Sequence, residues 1–126
     1  MNILILEDDP ERWKVFRRTL SLRNNVEIVD TVEKAKDAVI ASGIAFNPFD
    51  LIFIDHDLGG EVYVDSENEN TGYQFAKWLA ENEFDAKYVT HSLNPIGARN
   101  ICAVLPGCDH VPFHILQKTL EECVIS

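Results

Sequence analysis

Cysteine is scarce here and follows no pattern. Cys102, Cys108 and Cys123 are odd in number and lack CxxC or zinc-ligand spacing, which argues against a disulfide framework or a structural zinc. They are expected to be reduced and mostly buried as small hydrophobes. Basic residues are also few: 11 Lys and Arg stand against 21 Asp and Glu, a net charge of −10. A phosphate-backbone binder needs the opposite balance, so neither duplex DNA nor an anionic membrane is expected as a partner. No apolar run approaches the roughly 20 residues of a membrane-spanning helix. The opening MNILILEDDP lacks the basic region and cleavage site of a signal peptide. Repeats, linkers and low-complexity tracts are absent too. Residues 1–126 therefore read as a single cytoplasmic domain, with 46% hydrophobic residues to fill one core.

What is present is a regular alternation of strands and helices. Asn2 to Leu6 (NILIL) is too short and apolar for a helix and ends in Glu7-Asp8-Asp9-Pro10. Asp9 reads as a helix cap, Pro10 as the first helical residue, and Glu11 as a favourable charge at the positive dipole end. Trp13, Phe16 and Leu20 form the buried stripe of that helix. Val26 to Val29 is a second strand, and Thr31 caps a helix that buries Val32, Ala35 and Val39. Leu51-Ile52-Phe53-Ile54 is the most continuously apolar run. With no polar alternation it is expected to be covered on both faces, as a central parallel strand is.

Gly59 to Asn70 reads as an acidic loop carrying Glu61, Asp65, Glu67 and Glu69, expected to be solvated surface, with a lid over the site as the alternative. Thr71 and Gln74 suggest a capping box before Phe75, Trp78 and Leu79. Ala86 to Thr90 is a fourth strand, and Asn94-Pro95 opens a helix with Ala98, Ile101, Cys102 and Leu105 on its stripe. A fifth strand near Asp109 to Val111 precedes a last helix marked by Leu116, Leu120, Cys123 and Val124. Such alternation predicts an α/β fold, a five-stranded parallel doubly wound sheet with helices on both faces. Folds of this kind bind ligands beyond the carboxyl ends of their strands.

Those ends carry the chemistry. Strand one delivers Glu7 and Asp8, strand three Asp55, His56 and Asp57, and strand four His91 and Ser92. If strands one, three and four are neighbours, their carboxylates converge, and a divalent cation is the natural relief of that repulsion. Oxygen donors in a partly hydrated site suit Mg²⁺ (or Mn²⁺). Asp55 stands out, because an acid directly after an apolar strand has no helix of its own to cap.

LILEDDPERW followed by DLIFIDHDLGG resembles the receiver domains of two-component signalling, across essentially the whole chain. The resemblance implies that Glu7 and Asp8 form the acidic pair that holds Mg²⁺ with Asp55, that Asp55 accepts a phosphoryl group, and that Asp57 offers its backbone carbonyl to the metal. Three departures separate this chain from an ordinary receiver. Val111, in HVPF, stands where receivers carry a lysine; His91-Ser92-Leu93-Asn94-Pro95 replaces the usual end of strand four; and the loop after strand three is long and acidic. Asp55-His56-Asp57, His91 to Pro95 and Val111-Pro112-Phe113 are similar to a narrower group, the cyclic-phosphate-processing receiver domains.

The expectation is therefore a metal-dependent phosphoryl site, with Asp55, His91 and Ser92 as catalytic residues and Glu7, Asp8, Asp55 and Asp57 around the metal. Opening a cyclic phosphate requires an acid for the leaving hydroxyl, and His91 is expected to face the metal in that role, with Ser92 donating to a phosphoryl oxygen. His56 is expected to point away from Asp55, since strand neighbours alternate faces. Partners would be a phosphate-containing small molecule or an RNA end. The alternatives are a stand-alone response regulator phosphorylated on Asp55 by a phosphodonor kinase, and a degenerate receiver acting as a protein-interaction module.

Overall fold

Each apolar run becomes a strand, and each cap opens a helix. The computed structural model describes residues 1–60 and 63–125, apart from the side chains of Val124 and Ile125. Its elements are β1 (Asn2–Leu6), α1 (Pro10–Leu20), β2 (Asn25–Val29), α2 (Val32–Ile44), β3 (Leu51–Ile54), α3 (Gly72–Glu81), β4 (Lys87–Thr90), α4 (Pro95–Val104), β5 (Asp109–His110) and α5 (Phe113–Ile125). All strand pairs are parallel and the order is β2-β1-β3-β4-β5. The expected doubly wound α/β sheet is what forms. No described helix is long and apolar enough to cross a membrane.

Side chains of the central strands alternate between two cores. Leu4, Leu6, Ile52 and Ile54 pack with Val39, Phe75, Leu79 and Ile101 from α2, α3 and α4. Ile3, Ile5, Phe53 and Val89 pack with Phe16, Phe113 and Leu116 from α1 and α5. A central parallel strand is covered on both faces, which is why LIFI needs no polar residue.

The caps behave as their chemistry demands, with one difference. Asp9 Oδ1 accepts from the Glu11 N–H at 2.9 Å and Asn94 Oδ1 from the Gly97 N–H at 3.0 Å. Thr71 Oγ1 accepts from the Gln74 N–H, but the Gln74 side chain does not return to complete a capping box. Its Nε2 donates to the Ser66 carbonyl at 2.9 Å, so it holds the preceding loop instead. Against expectation, Cys102 and Cys108 are only half-buried and Cys123 is exposed, because α5 turns that residue outward in its last turn. Among the residues assigned above to the acidic loop and the last helix, Glu61 and the Val124 side chain lie outside the described residues.

Two glycines fix how closely helices approach the ends of the strands. A Cβ on Gly72 would overlap the Asp55 carbonyl oxygen, and one on Gly97 would overlap the His56 ring. Gly97→Ala is therefore expected to destabilise the fold by about 1–3 kcal/mol through overpacking. Gly43 in α2 has open space at its Cβ position, so Gly43→Ala should be neutral or stabilising by up to about 1 kcal/mol. Urea denaturation of the two variants reads the contrast directly.

Candidate functional site

Sheet register brings the strand-end residues to one level. Leu6 pairs with Ile54 and Ile54 with Thr90, so the next residues, Glu7, Asp55 and His91, emerge side by side. Each offers a donor atom within 4.8 Å of the others. Both oxygens of the fully buried Glu7 are occupied. Oε2 accepts the backbone N–H groups of Asp8 and Asp9 at 2.9 and 3.1 Å, and Oε1 accepts from Arg12 Nη1 at 3.2 Å and His91 Nε2 at 3.0 Å. The Trp13 indole N–H donates to the Glu7 carbonyl at 2.7 Å, locking α1 to the end of β1. Asp55 Oδ1 accepts the His56 N–H at 2.9 Å, while Oδ2 lies 3.9 Å from Arg12 Nη1.

The remaining expected residues divide. Asp8 Oδ2 accepts the Gly60 N–H at 2.6 Å and so ties the loop after β3 to the loop after β1. Asp57 Oδ1 accepts from His56 Nδ1, the Val64 N–H and Asn94 Nδ2 at 2.9, 2.9 and 3.1 Å. His56 turns away from Asp55, as alternation requires, and reaches Ser66 Oγ at 2.8 Å through Nε2. A cavity of about 480 Å³ opens above the acids, walled by Glu7, Asp8, Asp55, Asp57 and Arg12. His91 and Ser92 do not line it. His91 sits beneath the cluster, its ring edge-on to Phe16, Phe53 and Phe113 at 5.3, 6.3 and 6.1 Å. Ser92 Oγ accepts the Asn94 N–H at 3.0 Å within its own turn. The loop acids Asp65, Glu67 and Glu69 are exposed and are not among the cavity walls.

The model of the cyclic-phosphate processing receiver domain matches residues 3–106. The chain belongs to that family. No curated protein matches it. Among solved structures, this receiver domain is similar to a CheY-like response-regulator receiver domain from Methylobacillus flagellatus, at 20% identity over 97% of each chain with a TM-score of 0.63. It is also similar to the response regulator TrrA from Thermotoga maritima in complex with Mg²⁺–BeF, at 16% identity over 98% of this chain and 96% of that one, TM-score 0.65. The N-terminal domain of an uncharacterised Wolinella succinogenes protein gives a TM-score of 0.70 at 16% identity, over 99% and 90% of the two chains. At these identities the structures establish a shared fold.

Arg12 is the residue that the sequence reading missed. This receiver domain has Val111 where a lysine would stand, and the cation at the site comes from α1 instead. The Arg12 guanidinium lies 4.9 Å from the centre of the Phe113 ring, so the Phe of the Val-Pro-Phe segment holds it over the acids by a cation–π contact. The signal was available: a basic residue in the first turn of a helix opposes the dipole, and such a residue needs carboxylate partners to sit there.

The buried carboxylates respond to this wiring in opposite directions. For Glu7, burial alone would raise the pKa; the hydrogen bond and charge of His91, the Asp9 N–H and Arg12 outweigh it and lower the value to about 2. Asp55 is pushed well above the ordinary carboxylate range, first by burial and then by the Glu7 charge, with Arg12 opposing only in part. Two carboxylates this close titrate as a pair, the second ionising less readily than the first. Because the folded pKa of Asp55 lies above its unfolded value, its protonated form stabilises the fold at low pH, and that contribution is lost as pH rises through the folded pKa. Metal-free Asp55→Asn should therefore melt at a higher temperature than wild type at pH 7–8, with the gap closing toward pH 4. Thermal melts across that range in chelator check the sign.

Proposed function

We propose that this receiver domain opens cyclic phosphates at a divalent-metal site centred on Asp55. The observation that carries the reading is the convergence of buried acids and one arginine at the floor of a cavity large enough for an organic phosphate. The donor set fits Mg²⁺ or Mn²⁺. Hard carboxylate oxygens of Asp8 and Asp55 face the cavity, and acids this crowded carry negative charge that a dication would offset. Asp8, Asp55 and the Asp57 backbone carbonyl would hold the ion directly, with Glu7, whose oxygens are already partnered, behind them. Bound there, the ion would polarise the phosphoryl oxygens and stabilise negative charge on them.

The protein's own groups supply the rest. Arg12 sets a guanidinium beside the phosphoryl oxygens, where a planar fork suits them better than the missing lysine's point charge. Asp55, at the floor of the cavity, takes a proton from the attacking water and returns it to the alkoxide that leaves. Water's oxygen joins phosphorus, one ring P–O bond breaks, and a monoester with a freed hydroxyl results. His91 acts through Glu7: Nε2–H fixes Oε1, and Nδ1 has no hydrogen-bond partner among the described residues. Ser92 shapes the turn that presents Leu93 and Asn94.

A panel of five-membered cyclic phosphates assayed with Mg²⁺ tests this reading. Turnover is expected to fall by about 10²-fold or more in Asp55→Asn and by about 10²–10³-fold in Arg12→Ala, with partial recovery in Arg12→Lys. The second reading, phosphorylation of Asp55, rests on that carboxylate's place at the end of β3. A stable Asp55 adduct after acetyl phosphate, seen by mass spectrometry without any cyclic-phosphate turnover, would replace the first reading with the second.

A further inference from the structure

The cavity is wider than its chemistry requires. A phosphoryl group and an ion fill only part of about 480 Å³, a volume within the roughly 300–1,000 Å³ of pockets that take small organic ligands. The unfilled part is bordered by apolar side chains. Tyr63, from the loop after β3, is 66% exposed, and Leu93, from the loop after β4, is 46% exposed; both line the cavity, with Pro10 at the start of α1.

Neither position is a casual surface residue. Leu93 lies between Ser92 and Asn94, both buried, so the apolar side chain is turned out while its polar neighbours are turned in. That inverts the usual preference. Tyr63 has a φ of 57°, a left-handed conformation that a bulky residue adopts only when its surroundings hold it. One atom holds both flanks. Asp57 Oδ1 accepts the N–H of Val64, next to Tyr63, at 2.9 Å and Nδ2 of Asn94, next to Leu93, at 3.1 Å. His56 supports that carboxylate from below at 2.9 Å. The two exposed side chains are thus flanked by groups that share one hydrogen-bond acceptor at the mouth of the phosphoryl site.

We infer that Tyr63 and Leu93 form a base-stacking subsite, and that the ligand is a small nucleoside phosphate whose cyclic ester reaches the Asp55 floor. This rests on the phosphoryl reading above and adds the organic half of the ligand. An aromatic face and an aliphatic face accept any base, because every base has a π-face. Monomer size follows from charge: Asp65, Glu67 and Glu69 are exposed on the same loop, and the chain carries a net −10, which repels a long polyanion.

The test uses ring-opened products, which bind without turnover. Wild type, Tyr63→Ala, Tyr63→Phe and Leu93→Ala are titrated calorimetrically in Mg²⁺ with adenosine 3′-phosphate, base-free glycerol phosphate, and a short RNA ending in a 3′-phosphate. Wild type is expected to prefer the adenosine ligand over the base-free one by about five- to a hundredfold. Tyr63→Ala and Leu93→Ala should bring that ratio toward one, while Tyr63→Phe keeps it. A ratio near one in wild type, or one unmoved by Tyr63→Ala, overturns the subsite even where the enzyme turns over cyclic phosphates. Preference for adenosine phosphate in a protein that hydrolyses nothing upholds the subsite and removes only the catalytic reading. RNA binding more tightly than the mononucleotide overturns the assignment to a small ligand, and no binding of any probe overturns subsite and phosphoryl reading together.

Discussion

Two buried carboxylates placed side by side govern this molecule. Parallel register puts Glu7 directly after Leu6 and Asp55 directly after Ile54, partners across adjacent strands, and both acids are buried. Like charges in that setting cannot both ionise without help. Much of the surrounding architecture can be understood as the means by which one of them does.

Help comes from several elements at once. The N-terminal turn of α1 lends backbone N–H groups and Arg12, the end of β4 lends His91, and α5 lends Phe113 to keep Arg12 in place. With those partners Glu7 is ionised, and the cost is transferred to Asp55, which burial and the neighbouring charge hold toward its neutral form. A second polar network on the other side of Asp55 anchors the acidic loop. There Asp57, His56, Ser66, Asn94 and Asn100 are joined by hydrogen bonds, and Gly97 lies flat against the His56 ring where no side chain would fit. The site is therefore an acidic floor with a hydrogen-bonded rim.

Much of this was legible from residue types alone. NILIL and LIFI fix their strands to the residue, since an apolar run that ends in an acid has one physical reading. Asp9-Pro10 and Asn94-Pro95 start helices because proline is pre-set for the first turn and the preceding side chain supplies the acceptor. The acids at the strand ends follow from the topology. What could not be read were choices among long-range partners. Gln74 had the spacing of a capping box but is taken by the Ser66 carbonyl, and nothing local distinguishes the two outcomes. His91 was expected to face the ligand; strand position fixed its level, but only packing against Phe16, Phe53 and Phe113 decides that it lies under Glu7. Arg12 was missed because its partners lie in other elements, though its unfavourable place at a helix start was visible.

The central claim is that Glu7 and Asp55 crowd negative charge together and that a divalent ion on Asp55 would offset it. Melting temperature at neutral pH against rising Mg²⁺, in wild type and Asp55→Asn, tests it most directly. Binding to the folded state alone raises stability with ligand concentration, so wild type should rise by several degrees at millimolar Mg²⁺ while Asp55→Asn, already relieved of the repulsion, rises little. Equal rises in the two proteins, or none in wild type, would contradict the account.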